Sequence, residues 1–294
     1  MPHTRRYYFI INPISGGRSK KTAVKSVIDL MNKNKEKHEV GWWKKDAKVS
    51  DLIKTGIKNG FNTFVAVGGD GTINQVAKEL VNTDLILGII PFGSGNGFAR
   101  HLKINGNIDK QMNLLLNGRV KTIDTGLCNG KFFVNIAGVG FDAHVSHKFA
   151  NSESRGMINY ARVSLQEAHS YAEEAYEMTI DGVKSIEKAF LISIANGSQW
   201  GNEFYIAPKA VLNDGRLRCC FLNKPNIFQI PGLVRKFLRG EIDDSKYYKD
   251  IPFKHLIIKR TAPAAVHLDG EPFWMDETVE FKVNASSLKV ICHD

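Results

Sequence analysis

Val65-Ala66-Val67-Gly68-Gly69-Asp70-Gly71-Thr72-Ile73-Asn74-Gln75-Val76 is the stretch on which the fold turns. Phe64 to Val67 is an apolar run rich in β-branched residues, as a buried strand requires. Two glycines then turn the backbone, and Ile73, Val76, Ala77, Leu80 and Val81 follow at helical spacing. A strand, a tight loop and a helix N-terminus present free N–H groups and a positive dipole end, which suit phosphate. Asp70 in that loop repels phosphate unless a metal or a proton transfer is involved. The loop therefore points to chemistry as well as to binding.

The same pattern repeats outward. Tyr7 to Ile11 reads as a strand ending at Asn12-Pro13-Ile14-Ser15-Gly16-Gly17-Arg18-Ser19. The next helix carries Ala23, Val24, Val27, Ile28 and Met31 on one face. A strand over His38 to Trp43 and a short helix over Val49 to Lys58 precede the Phe64 strand. Leu85 to Ile90 is a strand closed by Pro91-Phe92-Gly93-Ser94-Gly95-Asn96-Gly97, and a helix is expected around Ile108 to Leu116. This alternation predicts a largely parallel sheet with helices on both faces.

Beyond residue 118 the period changes. Val120 to Leu127, Lys131 to Ala137, Ala175 to Ile180, Lys184 to Ala195 and Arg216 to Leu222 read as strands. So do His255 to Lys259, Ala264 to Leu268, Val279 to Val283 and Leu288 to Cys292. Asp181-Gly182 is a hairpin turn. Helices are expected over Ser154 to Glu173 and Ile227 to Leu238. The division is thus an α/β domain over 1–120 and a mainly antiparallel β domain over 121–294.

Apolar content of 43% and charged content of 24% are those of a globular chain. The net charge of +10 favours an anionic partner, whether nucleotide, nucleic acid or acidic membrane surface. No apolar run approaches the roughly 18 to 20 residues of a membrane span. Only Tyr7 to Ile11 is apolar near the start, too short for a secretory leader. Cys128, Cys219, Cys220 and Cys292 form no C-x-x-C pair and read as small buried residues of a reducing compartment. Cys219 and Cys220 should face opposite sides of their strand.

Three polar glycine loops follow three apolar strands: Asn12 to Gly17, Gly68 to Thr72 and Gly93 to Gly97. In a parallel sheet the carboxyl ends of the strands share one edge, where ligands bind. The loops are neither a Walker A motif, lacking G-K-[ST], nor the Rossmann G-x-G-x-x-G.

Asn12-Pro13-x-Ser15-Gly16, Gly68-Gly69-Asp70-Gly71-Thr72 and Pro91-x-Gly93-Ser94-Gly95-Asn96 occur in that order. Asp124-x-Gly126, Gly138-Val139-Gly140-Phe141-Asp142 and Leu268-Asp269-Gly270-Glu271-Pro272 follow. The set resembles the diacylglycerol kinase catalytic-domain family, which includes bacterial lipid kinases and sphingosine kinases. The likeness spans nearly the whole chain. The GGDGT loop by itself also resembles NAD kinases and phosphofructokinase-like enzymes.

The resemblance implies ATP-dependent phosphorylation of a lipid hydroxyl with Mg2+. It implies an N-terminal nucleotide domain, a C-terminal β-sandwich-like domain and a site in the cleft. It carries nucleotide contacts to Asn12, Pro13, Ser15 and Gly16, to Gly68, Gly69, Gly71, Thr72 and Asn74, and to Gly93, Ser94 and Asn96. It carries catalysis to Asp70, Asp269 and Glu271, with Asp124 in the same polar network. It carries a structural magnesium site to Val211, Asp214 and Arg216, in which arginine contributes only its carbonyl. Gly-Ser-Gly-Asn-Gly stands where Gly-Thr-x-Asn-Asp is common in bacterial members and is closer to sphingosine-kinase-like sequences, which weakens a default assignment to diacylglycerol. Trp42 or Trp43 stands near a nucleotide contact of the family and is open to stacking or packing. Asp70 is open to metal contact, hydroxyl orientation or proton acceptance.

Plainer roles stand beside these. Asp70 suits a helix N-cap, Asp269-Gly270 a hairpin turn and Asp214-Gly215 a turn. Asp124 and Asp142 suit strand ends, and His144 and His147 a solvated face. The helix from Ile227 reads either as a membrane contact or as a cover for the second sheet, and Pro231-Gly232 favours the cover. The rival functions are a NAD-kinase-like soluble kinase and a nucleotide-binding module without catalysis. No nucleic-acid signature is present. The expected setting is the cytoplasm with transient attachment to anionic membrane carrying the lipid substrate, and a homodimer stays open.

Overall fold

Tyr7–Ile11 is buried at every position, as a central parallel strand with helices on both faces must be. The structure, a computed structural model, describes residues 5–13, 19–44, 47–150, 164 and 166–293. Its first unit comprises residues 1–123 and 286–294, and its second 124–285.

The first unit runs β1 (Tyr7–Ile11), α1 (Ser19–Lys33), β2 (His38–Trp42), α2 (Val49–Lys58), β3 (Thr63–Gly68), α3 (Asp70–Leu80), β4 (Ile86–Pro91), α4 (Gly97–His101) and α5 (Ile108–Asn117). β1 lies between β2 and β3, parallel to both, with Phe9 opposite Val40 and Val65. β4 extends the sheet in parallel beyond β3. Successive side chains of β1 serve opposite faces. Tyr7, Phe9 and Ile11 pack with Val24, Val27 and Met31 of α1 and with Met112 and Leu115 of α5. On the other face α2 lies close on the strands: a Cβ on Gly56 would stand 2.5 Å from Phe64 Cε1. The strand order reverses at β1, so the carboxyl ends of β1 and β3 flank the switch point where open α/β sheets bind ligands.

The strand β5 (Arg119–Cys128) leads into the second unit. There follow β6 (Lys131–Phe133), β7 (Ile136–Gly140), α6 (Phe141–Ala150), β8 (Glu174–Ile180), β9 (Val183–Ala189), β10 (Leu191–Ala195), β11 (Gln199–Gly201), β12 (Phe204–Tyr205) and β13 (Leu217–Leu222). After these come α7 (Ile230–Arg239), β14 (Tyr248–Phe253), β15 (His255–Lys259), β16 (Ala264–Leu268), β17 (Glu271–Met275) and β18 (Thr278–Cys292). One antiparallel sheet has the order β14-β13-β10-β7-β16-β17. In the other, β9, β8, β15 and the first part of β18 pair antiparallel. Ala137, Val139, Ile194, Phe221 and Val266 meet Tyr176, Met178, Leu256, Ile258 and Phe281 in one core. A further core on the outer face of the first sheet joins Leu191 and Leu222 to Val145 of α6 and to Leu233 and Phe237 of α7. Cys219 sits in the inner core and Cys220 in the outer one, as the strand period requires. All four cysteines are buried and unbridged.

Three expected strand spans differ in the structure. Lys131 to Ala137 is broken after Phe133, because the next three N–H groups turn to the Asp269 side chain. Lys184 to Ala195 is two strands in two sheets, parted at Phe190. Val279 to Cys292 is one strand, β18, with a positive φ of 50° at Ser286. Beyond that irregularity Lys289 and Val290 pair in parallel with Ile86 and Leu87 of β4, and Ile291 enters the core of the first unit. The domain expected over 121–294 therefore ends before its last nine residues, which belong with the first unit. The helix expected from Ser154 to Glu173 falls mostly outside the described residues; 166–170 are helical.

Candidate functional site

In the first unit Asn12 and the second and third loops meet at the switch point. Asn12, just after β1, donates from Nδ2 to Thr72 Oγ1 at 3.1 Å. Gly68 is required there, since a Cβ on it would lie 2.4 Å from that same Thr72 oxygen. The second and third loops touch backbone to backbone: a Cβ on Gly93 would stand 2.7 Å from Gly69 Cα. Asn96, at a left-handed φ of 51°, closes its own loop. Its Oδ1 accepts from Gly93 N at 2.9 Å and its Nδ2 donates to Gly93 O at 2.7 Å. Arg100 Nε donates to Gly95 O and holds the far side.

Asp70 ties these loops together. It is the first residue of α3, whose N-cap is Gly69, so the N-cap role suggested by its type is not the one it plays. Its Oδ2 instead accepts the backbone N–H of Asn96 at 2.8 Å. The negative charge stands at the positive end of α3, which favours it. Gly71 and Ser94 are exposed, and Asn74 is half-buried in the first turns of α3. A Cβ on Gly71 would meet nothing within 4 Å, so its face is open. Pro13 is exposed, while Ser15 and Gly16 lie outside the described residues. Trp42 is exposed at the end of β2, and Trp43 Nε1 is tied to Ala47 O at 2.8 Å. His101, closing α4, is held neutral: burial and then Lys103 push it down to about 4.

The second unit joins its candidate residues by a different network. Asp269 and Gly270 both have positive φ and form the two-residue turn between β16 and β17, so the hairpin expectation is correct as conformation. The Asp269 side chain does more than turn the chain. Oδ2 accepts from Val134 N at 2.8 Å, and Oδ1 accepts from Asn135 N and Ile136 N at 2.9 Å. Asn196 Nδ2 then bridges Val134 O and Asp124 O. Buried Asp124 accepts Gly215 N at 2.7 Å and donates its own N–H to Leu212 O. Asp269, Asp124 and the 211–216 turn are thus links of one chain of hydrogen bonds. Glu271, opening β17, is exposed.

Within that turn Asp214 Oδ1 accepts Arg216 N at 2.9 Å, and Val211 is exposed. Asp214 offers one carboxylate there, an oxygen donor of the kind a hard cation takes. Among the described residues no three His, Cys, Asp or Glu side chains form a metal cage.

His267 and Asn196 are residues that sequence reasoning missed. His267 Nε2 lies 2.8 Å from Asp142 Oδ2 in the interior, and its Nδ1 faces Gly270 N at 3.3 Å. Gly138 makes room for the pair, since a Cβ there would fall 2.2 Å from His267 Nε2. Burial pulls His267 down, but the charge and hydrogen bond of Asp142, with Asp269 beyond, raise it above the ordinary histidine value. Asp142 closes the Gly138 to Asp142 motif and His267 immediately precedes the Leu268 to Pro272 motif, but nothing in the sequence pairs the two. His144 and His147 do not lie on a plain solvated face: His144 meets Glu167 at 2.6 Å, and His147 tilts against Trp274.

An α/β unit with a GGDGT loop at its switch point, followed by an antiparallel sandwich, is the fold of the diacylglycerol kinase and NAD kinase structures. The diacylglycerol kinase catalytic domain model matches residues 6–128, and the YegS C-terminal NAD kinase β-sandwich-like domain model matches 135–292. The chain belongs to this family of YegS-like lipid kinases. A Yersinia enterocolitica protein named "Probable lipid kinase YegS-like" is 30% identical over 285 residues, covering 92% of this chain and 91% of the relative. A Yersinia pestis protein of the same name is 28% identical over 283 residues, with the same coverage. The crystal structure of a diacylglycerol kinase from Bacillus anthracis superposes with a TM-score of 0.77 at 18% identity, over 100% of this chain and 98% of the other. Yeast NADH kinase complexed with NADH superposes with a TM-score of 0.53 at 11% identity, over 100% and 85%.

Proposed function

We propose that the protein is an ATP-dependent lipid kinase that phosphorylates a hydroxyl of a membrane lipid of the diacylglycerol, phosphatidylglycerol or sphingoid type. The observation that carries this is the junction in which Asp70 Oδ2 holds Asn96 N at 2.8 Å while Gly69 and Gly93 touch. Phosphoryl transfer needs positioned N–H donors and charge control more than covalent chemistry from the protein. The second and third loops supply donors without side-chain bulk, and Asp70 places one carboxylate among them. Magnesium, bound with the nucleotide, supplies neutralisation of the phosphate oxygens. The Val211, Asp214 and Arg216 turn is the oxygen set that would hold a structural magnesium ion. In the second unit, Asp269 is the carboxylate built into the fold by three N–H groups, and Glu271 is the exposed one. We place the enzyme in the cytoplasm, peripherally on the membrane.

The test is incubation with labelled ATP and magnesium in the presence of diacylglycerol, phosphatidylglycerol, a sphingoid base or NAD. A labelled lipid is expected. Labelled NADP without labelled lipid overturns the reading in favour of a soluble dinucleotide kinase, and no product in any arm favours a binding module.

A further inference from the structure

The helix α7 carries more apolar surface than the body of its unit covers. Leu233 and Phe237 face inward, where Phe237 stacks on Phe204 with ring centroids 5.0 Å apart and also meets Trp200. That fulfils the covering role expected for this helix. A second apolar row, Pro231, Val234 and Leu238, recurs at helical spacing and stands in solvent, with Val234 38% and Leu238 47% exposed. Ahead of it Ile227 and Phe228 are 70% and 90% exposed.

These two side chains are held out by a built turn. Residues Ile227–Gln229 form a single 3₁₀ turn with a full capping box. Asn226 Oδ1 accepts Phe228 N, and Gln229 Oε1 accepts Asn226 N at 3.0 Å and the Tyr247 hydroxyl. Lys224, just before the turn, is anchored to the carbonyls of His169 and Tyr171. A phenylalanine fixed at this exposure by so many hydrogen bonds is presented, not frayed.

Within the segment itself the charge is of one sign, although Glu173 Oε1 accepts Lys224 N at 2.7 Å beside the turn. Residues 224–240 contain Lys224, Arg235, Lys236 and Arg239 and no carboxylate. Arg235 and Arg239 are exposed, four residues apart on the face beside the apolar row, and Lys246 is exposed next to the Tyr247 ring. Carboxylates return only past the helix, at Glu241, Asp243 and Asp244, and Asp243 faces Lys209 at 3.5 Å. An apolar row beside a basic row is the pattern of a helix that lies in a membrane interface, apolar groups among the acyl chains and cations at the headgroups.

We infer that the Ile227–Phe228 turn and the outer row of α7 form the surface by which this protein docks on an anionic lipid bilayer. The inference deepens the lipid-kinase reading and rests on it for choosing a membrane over a protein as the occupant. Phe228, Ile227 and Leu238 enter the interface, and Arg235 and Arg239 meet the lipid phosphates.

The test is flotation of the full-length protein with phosphatidylcholine vesicles, with and without phosphatidylglycerol, at low and high salt. Binding is expected only with phosphatidylglycerol and weakens with salt. Ile227→Ser with Phe228→Ser should lower vesicle affinity at least about tenfold. Arg235→Gln with Arg239→Gln should lower it about thirtyfold and flatten the salt dependence. All these positions are exposed, so the melting temperature reports that the variants remain folded. Their kinase activity on lipid in detergent micelles should match the parent protein, while activity on vesicles falls. Vesicle binding unchanged in both double variants overturns the inference. A concentration-dependent dimer that the serine variant dissociates, without vesicle binding by the parent protein, also overturns it and assigns the face to a second copy. Vesicle binding with no lipid phosphorylated in any format overturns the kinase reading and leaves the docking surface standing.

Discussion

His267 Nε2 and Asp142 Oδ2 lie 2.8 Å apart in the interior of the second unit, joining α6 to β16, the strand that leads into Asp269. The pair sits directly behind the Asp269–Glu271 turn, and Gly270 N–H faces the other ring nitrogen. Its electrostatics therefore bear on the stability of the turn.

His267 is raised from its ordinary value of 6.5, with burial opposed and outweighed by Asp142 and Asp269. A histidine raised on folding contributes stability that is fully present below the unfolded value and lost as pH rises through the folded one. The melting temperature of the parent protein relative to His267→Gln should therefore be greatest below pH 6.5 and shrink above it. Asp142→Asn should abolish the slope. Thermal melts across that range check this, and a difference that does not change with pH is inconsistent with a raised His267.

His101 should act in the opposite direction. Its value of about 4 against 6.5 means that the unfolded chain takes up a proton the native protein refuses. Native stability should fall by up to about 3 kcal/mol as pH drops through that window. His101→Gln should remove this acid-side slope, as read by urea titrations at several pH values.

Two glycines of the site should respond with opposite signs. Gly93→Ala places a Cβ 2.5 Å from Asn96 Oδ1 and 2.7 Å from Gly69 Cα, and should cost about 1–3 kcal/mol together with nucleotide affinity. Gly71→Ala meets no atom within 4 Å and lies in a helix, where it should gain about 0.5–1 kcal/mol. If the open face of Gly71 receives phosphate, that variant is more stable and yet binds nucleotide more weakly. Differential scanning fluorimetry with and without ATP reads both effects.

Asp269 and Asp70 should separate stability from turnover. Asp269→Ala leaves three N–H groups without their acceptor, at about 1–3 kcal/mol for each that stays buried. Asp70→Asn retains an oxygen for Asn96 N–H and removes only the charge. Its stability should change by less than about 1 kcal/mol, while turnover falls about a hundredfold or more. Denaturant melts beside the labelled-ATP assay distinguish the two.

Local pattern alone sufficed for much of this protein. The alternation of apolar strands with helical spacing up to residue 118 predicted the parallel sheet, because both signals reside in neighbouring residues. The Asp181-Gly182 hairpin and the opposite facing of Cys219 and Cys220 were legible for the same reason. So was the placing of Asn12 and the two later glycine loops at one sheet edge, which follows from parallel strand direction. The break after Phe133 was not legible, because its cause is a carboxylate 135 positions along the chain. Nor was the return of residues 286–294 to the first sheet, since a strand's period is silent about its partner.

The candidate site divides along the same line. Asp70, Asp124 and Asp269 were named from their sequence motifs, but residue type did not say which groups each would hold. Only the tertiary structure decided that Asp70 ties one glycine loop to the next, and that Asp269 gathers the N–H groups of residues 134–136. It alone decided that His267 and Asp142 share the interior and that the turn before α7 leaves Phe228 in solvent. Sequence determines the local conformation and the kinds of group available. Which buried donor meets which acceptor, and which apolar face stays uncovered, depend on segments far apart in the chain that only the complete packing brings together.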